Sequence, residues 1–315
     1  MYAIGAGALA PAGAFAQQKV ARIGLLGLAN ATAYAANIDA FLSGLKDLGY
    51  IDGKNIRIEY RWADGHYDRL KDLAAELVQQ KVELIVTHGS GAQAAKSASA
   101  TIPIVTYVGD IVAVGLAASF AHPGGTITGS SFFGPEISVK RLEVFKEGLS
   151  GLRSASLFYN ASSGTFKAAR DAVQSAAAKM NVKLAEHPIK SAEDIEGTFA
   201  AIARDRSQGV VLLEDPMLIA NFKTIAGIAL KRRLPSIGYT DYAEAGGLMT
   251  SGVSLVELWR RHAYFVDKIL KGAKPADIPI EQPTRFELVI NLKTAKALGI
   301  KLPQTLIQRA DRLIE

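Results

Sequence analysis

The chain has no cysteine among its 315 residues. Disulfide bonds, thiolate zinc sites and cysteine nucleophiles are therefore excluded together. Histidine is scarce, and none of the five histidines has the paired spacing that places two imidazoles on one helix face. These residues are His66, His88, His122, His187 and His262. The sequence therefore predicts no metal site.

Motifs of catalysis and runs of like charge are also missing. There is no G-x-S-x-G nucleophile elbow, no H-E-x-x-H pair and no credible dinucleotide fingerprint, so we expect a non-enzymatic protein without catalytic residues or cofactors. The net charge of +6 comes from single Lys and Arg residues spread along the chain. Without a polybasic run or a basic-aromatic stripe, this charge argues against nucleic acid as a partner.

Charged residues are absent from Met1 to Gln18, and this apolar stretch ends with Ala14-Phe15-Ala16. An apolar core followed by an A-x-A site is typical of a secretory signal peptide, which we predict over residues 1–18. The positive leading region is missing, so we expect the start to be truncated or wrongly placed. No later segment reaches the roughly 20 apolar residues of a membrane helix. We therefore predict a soluble protein exported to the periplasm or another extracytoplasmic compartment.

From Val20 onward the sequence alternates between short apolar strands and amphipathic helices, which indicates an α/β fold with parallel sheets. The length suits two lobes, each with its own core. The predicted strands are Ala21 to Gly27, Asn55 to Trp62, Leu84 to His88, Ile104 to Val108, Ile127 to Phe132, Ala155 to Tyr159, Lys183 to Pro188, Gly209 to Leu213, Ser236 to Tyr239, Leu248 to Val253 and Phe286 to Ile290. The predicted helices include Ala36 to Leu48, Tyr67 to Gln80, Gly91 to Ser99, Phe166 to Met180, Glu193 to Arg206, Met217 to Arg232 and Leu255 to Leu270.

After Gly247 the order changes, and extra strand-helix units follow the second half. This indicates that the chain crosses back between two Rossmann-like lobes, which a multi-strand hinge joins. We assign residues 19–128 plus about 250–282 to the N-terminal lobe and residues 129–249 plus about 283–315 to the C-terminal lobe. Such a hinge places a ligand in the crevice at the carboxyl ends of both sets of strands.

Several blocks of the sequence resemble a known family, the ABC-transporter substrate-binding proteins whose best-known members bind tryptophan, phenylalanine or tyrosine. The blocks are Phe41 to Tyr50, Asn55 to Ala63, Ala121 to Gly129, Val266 to Asp277 and Phe286 to Ala295. The resemblance implies a type I periplasmic-binding-protein fold, a small-molecule solute as ligand and a membrane permease of an ABC importer as partner. A receptor that docks to a permease can work as a monomer, which we expect here.

The predicted crevice is lined by residues that follow the strands of both lobes. The ligand-binding candidates are Ala29, Asn30, His88, Gly89, Ser90, Gly91, Tyr107, Asp110, Phe132, Asn160, Ser162, Asp215, Tyr239 and Tyr242. Among the histidines, His88 is the one at a predicted strand end, where it could form a hydrogen bond with a ligand.

Gly89-Ser90-Gly91 opens a predicted helix directly after a strand. Free backbone N–H groups and the positive end of the helix dipole attract an anion at such a position, and a ligand carboxylate fits this description. The alternative is that Ser90 is simply the N-cap of the helix.

Asp110 and Asp215 follow strands in opposite lobes, where a carboxylate suits the ammonium group of an amino acid. In the family that the chain resembles, the first often lies in Gly-Asp-Pro-Val, whereas this chain reads Gly109-Asp110-Ile111-Val112. The missing proline leaves the conformation of this loop open. For both aspartates the alternative is a helix-capping role.

Aromatic residues also cluster near the strand ends, and a ring-shaped ligand would stack between two of them. They are Tyr107, Phe132, Phe133, Tyr159, Tyr239 and Tyr242. We therefore favour an aromatic amino acid or aromatic carboxylate as ligand, followed by a branched aliphatic amino acid or another small carboxylate. Two other classes share the scaffold: an enzyme, and the effector domain of a sugar-sensing transcription regulator, which would need a helix-turn-helix where the apolar leader stands.

Overall fold

The computed structural model describes residues 20–132, 134–163, 166–283 and 286–315. The predicted signal peptide over residues 1–18, and the aromatic candidate Phe133, lie outside these ranges. Within the four ranges, no helix combines the length and the apolar character that crossing a bilayer requires.

The first lobe is built on a five-stranded sheet in which all neighbouring strands are parallel. In the order β2-β1-β3-β4-β5, its strands are β1 (Ala21–Gly27), β2 (Ile56–Trp62), β3 (Leu84–His88), β4 (Ile104–Val108) and β5 (Ile127–Ser131). The helices between them are α1 (Ala35–Asp47), α2 (Leu70–Gln79), which a short 3-10 turn at Tyr67–Arg69 precedes, and α3 (Ser90–Ala98). The central strands are buried throughout, because helices cover both faces of a parallel sheet.

The second lobe contains a seven-stranded sheet in the order β12-β11-β10-β9-β8-β6-β7. Its strands are β6 (Ser154–Asn160), β7 (Lys183–Ile189), β8 (Val210–Leu212), β9 (Ser236–Gly238), β10 (Met249–Gly252), β11 (Glu287–Asn291) and β12 (Arg312–Ile314). The remaining helices are α4 (Gly134–Gly148), α5 (Phe166–Lys179), α6 (Asp194–Arg204), α7 (Pro216–Ala220), α8 (Phe222–Lys231), α9 (Leu255–Leu270), α10 (Leu292–Leu298) and α11 (Gln304–Arg309).

The two-lobed α/β architecture with parallel sheets is confirmed, with one local difference in the second sheet. Strand β11 pairs antiparallel to β10, whereas the other pairings in that sheet are parallel. The chain enters β11 on its way back from the first lobe, so it runs beside β10 in the opposite direction.

Helix α9 returns to the first lobe, where it packs against α1 and β4. Trp259, Phe265 and Val266 of this helix are fully buried in the core of that lobe. After α9, Glu281 pairs with β5 through two backbone hydrogen bonds of 2.9 Å. The Ser131 N–H donates to the Glu281 carbonyl, and the Glu281 N–H donates to the Gly129 carbonyl. The lobes are therefore joined by several segments, as in a hinge.

The strands place the first two crossings between the lobes a few residues later than the sequence analysis did, and the third predicted cut, at about 282/283, lies within the observed crossing. Strand β5 belongs to the first sheet through Ser131, and β10 belongs to the second sheet through Gly252. The predicted cuts at 128/129 and 249/250 fall inside these two strands. The chain crosses between Ser131 and Gly134, between Gly252 and Leu255, and between Glu281 and Glu287.

A cavity between the lobes as candidate functional site

A cavity of about 1030 Å³ lies between the two lobes, at the carboxyl ends of their strands. The first lobe contributes His88 and Val108 from the ends of β3 and β4, and the second contributes Leu213 and Tyr239, directly after β8 and β9. Parallel strands of an open α/β sheet present their carboxyl ends at one edge, so the two edges face one another across the cavity.

The two lobes are in direct contact at this cavity. The hydroxyl of Tyr67, from the first lobe, donates a hydrogen bond of 2.8 Å to Oδ2 of Asp215, from the second. Ile219 of α7 also packs against the core of the first lobe. The structure is therefore a closed arrangement in which both lobes enclose the same space.

Asp215 is an acid of the cavity wall that several hydrogen bonds hold in place. Its side chain caps α7: Oδ1 accepts hydrogen bonds from the Met217 N–H at 2.9 Å and from Asn160 Nδ2 at 3.1 Å. The hydroxyl of Tyr239 accepts from the Asp215 N–H at 2.5 Å and donates to its carbonyl at 2.6 Å. Burial raises the pKa of Asp215 to about 6, although the hydrogen bonds that its carboxylate accepts from Tyr67, Asn160 and Met217 act to lower it. A cation that reached this carboxylate would find it rigidly positioned and poorly solvated.

Arg141 of α4 supports the same loop from behind. Its fully buried guanidinium donates to the carbonyls of Ser251 and Leu212, at 2.9 and 3.0 Å, and to the carboxylate of Glu214. The guanidinium also lies 5.3 Å from the centre of the Tyr239 ring. Glu214, which borders the cavity beside Asp215, is thus neutralised by a partner of its own lobe.

The part of the first-lobe wall around His88 is polar but uncharged. The ring of His88 stacks on Tyr107 at 5.3 Å, and Trp259 Nε1 donates to the Tyr107 hydroxyl at 3.2 Å. Burial, together with the neighbouring His262, lowers the pKa of His88 to about 3. His88 is therefore a neutral imidazole at physiological pH.

Helix α3 starts at the cavity edge. Gly89 is its N-cap, with a φ of +51° and a ψ of −131° that disfavour residues with a Cβ, and Ser90 is the first helical residue. The N-cap role that the sequence left open for Ser90 therefore belongs to Gly89. Both residues line the cavity, so the positive end of the helix dipole faces it.

Most of the predicted ligand-binding residues lie in the cavity wall, although their contact with a ligand stays a prediction. Those in the wall are His88, Gly89, Ser90, Tyr107, Asp110, Phe132, Ser162, Asp215 and Tyr239. Within this set the Asp110 carboxylate already accepts the N–H groups of Val112 and Ala113, at 3.1 and 2.9 Å, which stabilise the turn after β4.

Three predicted residues of the first lobe are placed elsewhere. Ala29 is buried in the hydrophobic core, and Asn30 is exposed, where its Oδ1 accepts from the Ala33 N–H at 2.9 Å. Gly91 is buried inside the start of α3, where a Cβ would come within 2.2 Å of Thr87 Oγ1. This glycine is therefore explained by close packing of the helix on β3.

Two predicted residues of the second lobe also have structural roles. Asn160 is buried behind Asp215 and holds it through Nδ2, while its Oδ1 accepts from the Ser162 N–H at 2.9 Å. Tyr242 is fully buried in the core, and its hydroxyl donates to Ser236 Oγ at 2.8 Å. Asn160 thus positions an acid of the wall, and Tyr242 is a core residue.

The sequence analysis missed Tyr67 because it did not count the loop after β2 among the crevice loops. Strand β2 is parallel to β1, so its carboxyl end lies at the same edge as the other loops. The rule that the carboxyl ends of parallel strands lie at one edge of a sheet would alone have placed residues 63–67 at the cavity. Leu70, Lys71 and Gln93, from α2 and α3, also line the wall and were not predicted.

A metal centre has no support in the part of the chain that the structure describes, where no group of three or more His, Asp or Glu side chains could hold an ion.

Comparison with known proteins identifies relatives that bind amino acids. A curated tyrosine-binding protein of Clostridioides difficile (strain R20291) is 27% identical over 265 residues, which are 83% of this chain and 76% of the relative. A solved structure of an ABC domain in complex with L-Trp from Streptococcus pneumonia has a TM-score of 0.86 at 23% identity, covering 94% of this chain and 100% of the other.

A further solved structure is the ligand-free, open form of a substrate-binding protein with adhesive properties from Clostridium difficile. It has a TM-score of 0.65 at 25% identity and covers 94% of this chain and 99% of the other. Solved neighbours also include solute-binding proteins of ABC transporters, in agreement with the expected type I periplasmic-binding-protein fold.

The family model for ABC transporter substrate binding proteins matches residues 22–314, which is nearly the whole of the described chain. The chain therefore belongs to the ABC transporter substrate-binding protein family.

Proposed function

We propose that this protein is the extracytoplasmic solute receptor of an ABC importer, and that it binds an aromatic amino acid in the cavity between its lobes. The observation that carries the proposal is Asp215, a buried acid held by Asn160 and Met217 at the point where the lobes meet. A ligand ammonium is the partner that such a carboxylate favours. The relative named as a tyrosine-binding protein supports the same class of ligand.

The rest of the wall suits a zwitterion with an apolar side chain. Phe132, Tyr107 and Tyr239 supply aromatic surface, on which a ligand ring can stack. Aliphatic side chains, including Val108 and Ile219, line the same cavity and favour a branched aliphatic amino acid as the second candidate. An aromatic carboxylic acid without an ammonium group would leave Asp215 without its partner, so we rank it below the amino acids.

Closure of the lobes links binding to transport in this proposal. Ligand contacts with both lobes stabilise the closed form relative to the open one, and the permease recognises the outer surface of the closed form. The TM-scores agree with a closed conformation of this chain. At similar identity and coverage, the chain is more similar to the structure in complex with L-Trp than to the ligand-free, open one.

A ligand panel tests the proposal directly. Thermal-shift assays and titration calorimetry would compare L-tryptophan, L-tyrosine, L-phenylalanine, L-leucine and indole-3-acetate, because a ligand that binds the native state alone raises its melting temperature. We expect the largest shift from one of the aromatic amino acids and little from indole-3-acetate. If no amino acid shifts the melting temperature, the proposal is wrong.

The variant Asp215→Asn, with Asp110→Asn as matched control, locates the ammonium site. We expect Asp215→Asn to weaken binding about a hundredfold, since it removes a buried charge pair. We expect a smaller loss from Asp110→Asn, because that carboxylate already accepts two backbone N–H groups. The reverse ranking would move the ammonium site to the first lobe.

A further inference from the structure

Besides Glu59 Oε1 and both ring nitrogens of His262, two buried polar atoms of the first lobe have no hydrogen-bond partner among the residues that the structure describes. They are the hydroxyl of Tyr34 and Nε2 of His88, and these side chains are 0% and 1% exposed. Buried polar groups are nearly always paired in native proteins, so an unpaired one calls for a physical explanation. In a binding protein, a ligand atom can be the missing partner.

The two groups lie side by side at the carboxyl edge of the first sheet. Tyr34 directly precedes α1, His88 ends β3, and their ring centres are 4.8 Å apart. His88 lines the cavity together with Tyr107. The Tyr107 hydroxyl accepts from Trp259 Nε1, so its own O–H can donate.

Tyr34 also interacts electrostatically with the acid of the second lobe. Burial raises its pKa well above the usual value, and the charges of Tyr107, Tyr239 and Asp215 raise it further. The Tyr34 phenol therefore stays protonated and can donate a hydrogen bond.

From this arrangement we propose that Tyr34 and His88 hold the carboxylate of the amino-acid ligand. The inference rests on the proposed function and deepens it. In an α-amino acid the ammonium and carboxylate are attached to the same carbon, so their binding groups must lie near each other. Asp215 on one lobe and His88 on the other line the same cavity, and Tyr34 lies directly beside His88. Neutral donors from Tyr34 and His88 can bind an anion without adding a second charge beside Asp215.

The competing position for the carboxylate is the start of α3, at Gly89 and Ser90. If backbone N–H groups there held the carboxylate, the Tyr34 hydroxyl would contribute little to affinity. Replacing this hydroxyl separates the two positions, because Tyr34→Phe leaves the ring, the core packing and α3 unchanged.

The test compares Tyr34→Phe with Tyr242→Phe by urea unfolding without ligand and by titration calorimetry with L-tryptophan and L-tyrosine. Both tyrosines are fully buried, but the Tyr242 hydroxyl donates to Ser236, whereas the Tyr34 hydroxyl has no partner among the described residues. For Tyr34→Phe we expect an unchanged or higher urea midpoint and about tenfold weaker binding, which equals about 1.4 kcal/mol. For Tyr242→Phe we expect a lower urea midpoint and unchanged affinity.

L-Tryptophanamide serves as the probe without a carboxylate. We expect the wild type to prefer L-tryptophan over the amide, and Tyr34→Phe to reduce that preference. An unchanged preference would show that the hydroxyl contacts another part of the ligand, and the inference would be wrong.

The outcomes separate the inference from the proposed function. If the wild type binds an aromatic amino acid and Tyr34→Phe binds it equally well, the carboxylate assignment fails while the proposed function stands. If the wild type binds none of these amino acids, the proposed function fails and the assignment fails with it. A lower urea midpoint for Tyr34→Phe would indicate a structural partner for its hydroxyl, and would also refute the assignment.

Discussion

The raised pKa of Asp215 predicts opposite pH dependences for stability and for ligand binding. Burial moves this pKa from an ordinary value of 3.8 to about 6. The folded state therefore holds the Asp215 proton more tightly than the unfolded state, and unfolding releases that proton between about pH 4 and pH 6. Proton release on unfolding means that stability falls as the pH rises through this window.

The size of the effect follows from the displacement of the pKa. At 1.36 kcal/mol for each pKa unit, the change from 3.8 to about 6 corresponds to about 3 kcal/mol. Asp215 thus destabilises the closed form by roughly this amount at pH 7 relative to pH 4. Other groups titrate in the same range, so the informative quantity is the difference between wild type and Asp215→Asn, whose amide does not titrate.

Urea unfolding of both proteins at several pH values between 4 and 8 measures this difference. We expect Asp215→Asn to gain stability relative to the wild type as the pH rises from 4 to about 6.5, and the difference then to level off. In the same window the affinity of the wild type for its amino acid should rise by up to about tenfold for each pH unit, because the ammonium pairs with the ionised form. A stability difference that does not vary with pH would refute the reasoning.

Two further variants test other contacts of the site. Arg141→Met should lower the free energy of unfolding by about 3 kcal/mol in urea titrations, because it leaves Glu214 and two buried carbonyls without their partner, and a loss below 1 kcal/mol would contradict this. Tyr67→Phe removes the hydrogen bond between the lobes, so stopped-flow displacement should show about tenfold faster release of ligand with an unchanged urea midpoint. An unchanged release rate would mean that this bond does not stabilise the closed form.

The sequence predicted most strands correctly because a parallel sheet covered on both faces requires short, continuous apolar segments. Strands β3 and β4 coincide with the predicted segments Leu84 to His88 and Ile104 to Val108. Helix α4 was not predicted. Its inward face carries Ser138 and Arg141, which bind Glu214, so two buried positions have polar residues and the apolar periodicity is weakened.

The predicted helix Met217 to Arg232 is in fact two helices. It breaks at Asn221, whose φ of −114° is not helical and whose Nδ2 donates to the Met217 carbonyl at 2.8 Å. Strand β12 was also missed, because only three residues form it, beside the antiparallel β11.

The residues that line the cavity, like the secondary structure, were predicted from the sequence only in part. Asp215 and His88 directly follow or end strands, and the rule for parallel sheets places such residues at the cavity. Tyr67 reaches it from a loop that precedes a helical segment, and no local pattern links Tyr67 to an acid 148 positions later. Asn160 satisfies the strand-end rule, yet it turns behind Asp215, since the direction of a side chain depends on packing.

Small-angle scattering tests most directly the central claim that the two lobes close on a ligand held between them. The protein would be measured alone and with a saturating concentration of the aromatic amino acid that calorimetry identifies. We expect the radius of gyration to decrease on binding, and the curve of the complex to match that of the closed structure. A bound ligand that leaves the radius of gyration unchanged would contradict the account.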